Sequence, residues 1–98
     1  MPIESLRLLL VEDNDLDAMF ITRVFQRSTM FDAEIVRASS LSEALEKTGQ
    51  SEFDVVLLDL GLPDSSGLQS IRAIRERVTS IPIVVQTGDD RVETGFAA

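Results

Sequence analysis

Residues 6–11 read Leu-Arg-Leu-Leu-Leu-Val and stop abruptly at Glu12-Asp13-Asn14. The length of this apolar run and its sudden end indicate a strand buried on both faces. Phe53–Leu58 (FDVVLL) is a second run of the same kind and closes on Asp59. Ile81-Pro82-Ile83-Val84-Val85 is a third, closing on Thr87-Gly88, and Ile35 and Val36 mark a short strand over about 33–38. Helical periodicity fills the intervals. Asn14 suits an N-cap, with Asp15 and Asp17 in the first turn where the helix dipole favours anions. Leu16, Met19, Phe20 and Val24 then recur as one helical stripe, the pattern of a face that packs on a core. Ser40 and Glu43 have capping-box spacing ahead of Leu41, Ala44 and Leu45, with Gly49 as the stop. Leu68, Ile71, Ile74 and Val78 repeat at helical spacing after a loop carrying Gly61, Pro63 and Gly67. Asp89–Ala98 reads as the start of a fourth helix.

Strands joined by helical crossovers predict an α/β fold with a doubly wound parallel sheet and right-handed connections. In such a sheet, ligands bind at the C-terminal edge, beside the switch in strand order. The 98 residues fit one domain, and 44% hydrophobic against 27% charged residues is a globular composition. Seventeen acids against nine bases give a net charge of −8. That surface repels phosphate backbones and anionic lipid, so direct nucleic-acid or membrane binding is not expected. With no Cys and no His, disulfides, thiolates, Cys/His zinc sites and a histidine base are excluded. Any metal must be a hard cation held by oxygens. No run reaches the ~20 apolar residues of a membrane span, and the start lacks a signal peptide's basic region. A cytoplasmic protein is the expectation.

Glu12 and Asp13 end one strand and Asp59 ends another. If the two strands are neighbours, their tips lie ~5 Å apart. Carboxylates at ~4 Å repel by ~4 kcal/mol per pair at an effective dielectric of ~20. Such a cluster must raise its pKa values or recruit a cation. Acids and solvent oxygens suit Mg²⁺, which often holds a substrate phosphate as well. Asp59 follows directly on an apolar run, and a carboxylate held there beside a metal can attack phosphorus and form a mixed anhydride. Thr87 could donate its hydroxyl to a phosphoryl oxygen; equally, it could serve only as a strand residue.

LLLVEDN (8–14), VVLLDLGLPDSSGL (55–68) and IPIVVQTG (81–88) together resemble the motifs of two-component response-regulator receiver domains, in order along the chain. The resemblance implies a flavodoxin-like sheet, here in the order 2-1-3-4. It implies Asp59 as phosphoacceptor, taking phosphoryl from a sensor histidine kinase or phosphotransfer protein. Asp13 and the Gly61 backbone carbonyl would ligate Mg²⁺, with Glu12 acting directly or through water, and Thr87 would be the switch hydroxyl. Pro63 and Gly67 would shape the loop after the acceptor; Gly61 and Asp89 fall at positions that tune the lifetime of the phosphorylated form. Receivers also carry a phosphoryl-pairing lysine on a fifth strand. The one lysine here, Lys47, precedes Asp59 and is expected to be a solvated helix charge.

The fifth strand and last helix are likewise missing from the pattern. The sequence therefore reads as a receiver, residues 1–98, truncated within its fourth helix by design or processing. Two expectations follow: impaired phosphotransfer, and self-association through an exposed fourth-strand edge. Two other readings remain: a Mg²⁺-dependent phosphohydrolase with an aspartyl nucleophile, or an assembly remnant without phosphotransfer. The hydrolase reading lacks its usual second acid, since Gly61 stands two residues after Asp59. A flavin or nucleotide site would need a Gly- or Ser/Thr-rich loop where Glu12-Asp13-Asn14-Asp15 stands.

Overall fold

The computed structural model describes residues 4–27 and 31–86. Strands β1 (Glu4–Val11), β2 (Phe31–Ala38), β3 (Val55–Asp59) and β4 (Ile83–Gln86) alternate with helices α1 (Asp15–Gln26), α2 (Leu41–Gln50) and α3 (Gly67–Arg77). All three strand pairs are parallel, and the sheet order is β2-β1-β3-β4. The expected α/β architecture and strand order are both present. Thr87, Asp89 and the rest of the fourth helical segment lie outside the described residues.

Leu8, Leu9, Leu10 and Val11 are all buried, because the central strand is covered on both faces. Alternation divides them. Leu9 and Val11 join Val56, Leu58, Ile83 and Val85 under α2 and α3, with Ala44 and Ile74 facing them. Leu8 and Leu10 face α1 through Ala18, with Ile21 and Phe25 packed alongside.

That second cluster corrects the reading of α1. The stripe Leu16, Met19, Phe20 and Val24 is exposed, from 46% at Met19 to 74% at Leu16. The helix packs instead through Ala18, Ile21 and Phe25. It is apolar on two sides, and Ala18 is its buried residue, clustered with Leu8 and Leu10.

The helix starts follow the local chemistry. The Asn14 side chain accepts from the Asp17 N–H, and that of Ser40 from the Glu43 N–H. The Glu43 carboxylate does not complete the box on Ser40; it accepts from the Ser39 N–H and hydroxyl, and these bonds hold its pKa below the ordinary glutamate value. Helix α2 also runs through Gly49, and its cap is Ser51. A stop at glycine would need a left-handed backbone, and no described glycine has positive φ. The full capping box belongs to α3, between Ser66 and Gln69.

Strand register positions the site. Val11 lies opposite Leu58 and Ala38, and Asp59 opposite Gln86. The four tips therefore lie within one residue of level, and the chain just past β1 emerges beside Asp59 at the β1/β3 switch in strand order.

Candidate functional site

Glu12, Asp13 and Asp59 meet at this edge: one carboxylate oxygen from each lies within 4.8 Å of the others. The tips of β1 and β3 thus converge as the sequence spacing required. Glu12 and Asp59 are buried at 4% and 6% exposure, while Asp13 is exposed. Backbone geometry explains the difference. Val11 and Leu58 still belong to the core, so the next residue of each strand leaves under cover of the loops, and Asp13 is the first fully in solvent.

Each oxygen of Glu12 accepts a hydrogen bond, Oε1 from Gln86 Nε2 at 3.1 Å and Oε2 from the Asn14 N–H at 3.2 Å. Burial pushes the Glu12 pKa up to about 7, the Asn14 N–H opposes this, and the neighbouring Asp59 and Asp17 push it further up. Burial is the main cause of this displacement, and the neighbouring carboxylates add to it. Asp59 Oδ1 accepts from the Gly61 N–H at 3.1 Å. A side chain at Gly61 would begin 3.6 Å and 3.8 Å from the two Asp59 oxygens, so glycine leaves the approach to that carboxylate open.

The loop after Asp59 is tied down on its far side. Asp64 accepts from the Leu41 and Ser42 N–H groups at 3.0 and 3.1 Å. These two bonds at the start of α2 hold its carboxyl below the usual aspartate range. Gly67 lies under Leu60, where a Cβ would come within 3.3 Å of that side chain.

Among the described residues no cation enters the carboxylate gap. The nearest guanidinium, Arg37, turns to the backbone: Nε and Nη2 donate to the Glu12 carbonyl at 3.1 and 2.9 Å, and Nη1 pairs with Asp15 at 2.7 Å. The sequence reading missed Arg37 and Gln86. Gln86 is the polar last residue of an otherwise apolar strand, which was an available signal; Arg37 lies in a strand that also carries Asp32 and Glu34, where no local pattern marks it. Thr87, expected as the switch hydroxyl, falls outside the described residues. Of the expected site, the structure brings together the carboxylates of Glu12, Asp13 and Asp59; the contact it shows at Gly61 is the N–H to Asp59 Oδ1.

Residues 8–98 match the family model of the response regulator receiver domain. The chain belongs to this family. Among curated relatives, the two-component response regulator PhoP of Pseudomonas aeruginosa is 36% identical over 98 residues, covering 95% of this chain and 41% of PhoP. The autoinducer 2 sensor kinase/phosphatase LuxQ of Vibrio vulnificus is 36% identical over 92 residues, 93% of this chain but 10% of LuxQ. The regulatory protein LuxO of Vibrio cholerae is 34% identical over 70 residues, 71% of this chain and 15% of LuxO. The receiver thus spans only a part of each of these proteins. Among solved structures, the phosphorylated cyanobacterial phytochrome response regulator RcpA superimposes with a TM-score of 0.77 at 28% identity, covering 91% of this chain and 69% of RcpA. A receiver domain of two-component systems is consistent with a phosphoacceptor role, and no helix among the described residues is long and apolar enough to cross a membrane.

Proposed function

We propose that this receiver accepts a phosphoryl group on Asp59 from a phosphohistidine on a sensor histidine kinase or phosphotransfer protein, with Mg²⁺ held in the acidic pocket. The observation that carries the reading is the convergence of Glu12, Asp13 and Asp59 within 4.8 Å at the switch point. A donor set of three carboxylates, two of them buried, with no cation among the described residues between them, fits a hard divalent ion. Asp13, Asp59 and the Gly61 carbonyl would hold it, with Glu12 acting directly or through water. Bound there, the ion would supply charge neutralisation on the transferring phosphoryl oxygens. An Asp59 oxygen attacks phosphorus, the P–N bond to the histidine breaks with its electron pair leaving on the imidazole, and an acyl phosphate results. Thr87 is assigned the hydroxyl that then contacts the phosphoryl group. RcpA was solved in a phosphorylated form, which supports extending this chemistry to its relative here.

The role is that of a phosphoacceptor whose modification shifts a conformational equilibrium, in a cytoplasmic protein with protein partners. The one lysine of the 98 residues, Lys47, sits on α2. Transfer to this 98-residue polypeptide is therefore expected to be slow. Self-association along β4 belongs to the same reading: among the described residues that strand pairs only with β3, and Val84 is 47% exposed. Light scattering that finds a folded monomer at high concentration would rule the association out.

Calorimetric Mg²⁺ titration tests the metal reading: Asp13→Asn and Asp59→Asn should each weaken binding about tenfold or more. Incubation with acetyl phosphate tests the acceptor. Intact-mass analysis should find slow, Mg²⁺-dependent addition of one phosphoryl group, absent from Asp59→Asn. Addition to Asp59→Asn, or addition unaffected by chelator, would overturn the reading.

A further inference from the structure

The turn that carries Glu12 and Asp13 is gripped from β2. Arg37 spends two of its N–H groups on one backbone oxygen, the Glu12 carbonyl, at 3.1 and 2.9 Å. Its third contact, Nη1 to Asp15 Oδ1 at 2.7 Å, reaches the first residue of α1. The guanidinium thus spans the turn from its first residue to the helix that follows. The Glu12 N–H donates to the Ala38 carbonyl at 2.9 Å, so adjacent residues of β2 hold both the N–H and the C=O of Glu12. We propose that Arg37 is a positioning residue for the carboxylate pocket: its planar fork fixes the β1–α1 turn so that Glu12 and Asp13 face Asp59. This deepens the metal reading above and rests on it for one of its two tests.

The fork has a function that charge alone does not supply. A lysine ammonium is a point donor on a flexible stem and cannot reproduce the planar fork that serves the carbonyl twice and Asp15 at once. The electrostatic effect also has the opposite sign to the geometric one. Removing a cation beside three carboxylates raises the local attraction for Mg²⁺, whereas loosening the turn disperses the oxygens that would hold it. The direction of change therefore separates the two.

The experiment compares wild type, Arg37→Gln and Arg37→Lys, with Arg7→Gln as the control for lost charge. Arg7 lies five residues earlier on β1, about 16 Å away along the strand, and pairs with Glu34. Mg²⁺ affinity is read by calorimetry. Exchange of the Glu12 and Asn14 amides is read by NMR in metal-free protein, where the Asn14 N–H reports the Glu12 side chain it contacts. Mg²⁺ binding about tenfold weaker in both Arg37 variants, with both amides exchanging faster and Arg7→Gln near wild type, is the expected result. Unchanged or tighter Mg²⁺ binding in Arg37→Gln overturns the proposal, as does wild-type affinity in Arg37→Lys. If wild type binds no Mg²⁺, the metal reading fails. Arg37 is then judged on exchange alone, where faster amides support it and unchanged amides refute it. Should Arg37→Gln fail to fold, Arg37→Lys decides between the same two outcomes.

Discussion

Replacing Glu12 with Gln should make the metal-free protein more stable, and by an amount that grows with pH. Glu12 is buried, and its pKa rises from 4.5 to about 7. The folded state therefore keeps the proton over a range where the unfolded chain has lost it. The cost of ionising the buried carboxyl is absent below about pH 4.5, builds as pH rises, and levels off above pH 7. Each tenfold difference in proton affinity between the folded and unfolded chain corresponds to about 1.36 kcal/mol, so the full effect is about 3 kcal/mol, most of which develops between pH 5 and pH 8. Glutamine keeps the shape without the charge, and the amide of Gln86 can turn to offer its oxygen to the new NH₂ group. Glu43 and Asp64, whose pKa values are lowered by their own local hydrogen bonds, keep those bonds in both proteins and cancel in the difference. Chemical denaturation in chelator, followed by far-UV circular dichroism because the chain has no Trp or Tyr, gives both stabilities. The gap between variant and wild type should widen by about 2–3 kcal/mol from pH 5 to pH 8, on the order of 10 °C in melting temperature for a domain of this size. A gap that stays constant with pH would refute the reasoning.

Three further outcomes follow from packing. Phe20→Ser on the exposed side of α1 should change stability by less than about 0.5 kcal/mol, while Ile74→Ala in the α3 core should cost about 2–5 kcal/mol; denaturation midpoints distinguish them, and a large loss at Phe20 would return that stripe to the core. Ser70 is fully buried and its Oγ has no hydrogen-bond partner, so Ser70→Ala should stabilise by about 1 kcal/mol, which thermal melts would detect. Loss of the Ser66 cap in Ser66→Ala should cost about 1 kcal/mol and leave Mg²⁺ titrations unchanged.

The fold was legible because burial on both faces writes itself into composition. LRLLLV and FDVVLL can be little else than central parallel strands, and their abrupt acidic ends placed Glu12, Asp13 and Asp59 at one edge. The N-caps at Asn14 and Ser40 were equally plain, being local chemistry. What could not be read depended on the third dimension. Periodicity finds apolar stripes but does not say which one meets the sheet; in α1 the small Ala18 outweighed the larger Leu16 and Phe20. Gly49 looked like a stop, but glycine ends a helix only where the backbone turns left-handed. The contacts of Arg37 and Gln86 join residues 25 and 74 positions apart in sequence, which no local window contains. Thr87 keeps its assignment from the sequence alone.

Asp64 gives the acceptor loop an anchor whose far end is a different helix. Because its carboxylate grips two amides that nothing else in α2 satisfies, the strap from Asp59 to Ser66 and the start of α2 are coupled like two links sharing one pin. A strain imposed at the acceptor is thus conveyed to the neighbouring layer without passing through the hydrophobic interior. Movement that leaves α2 in place must be absorbed on the opposite flank, beside β4, the outermost strand among the described residues.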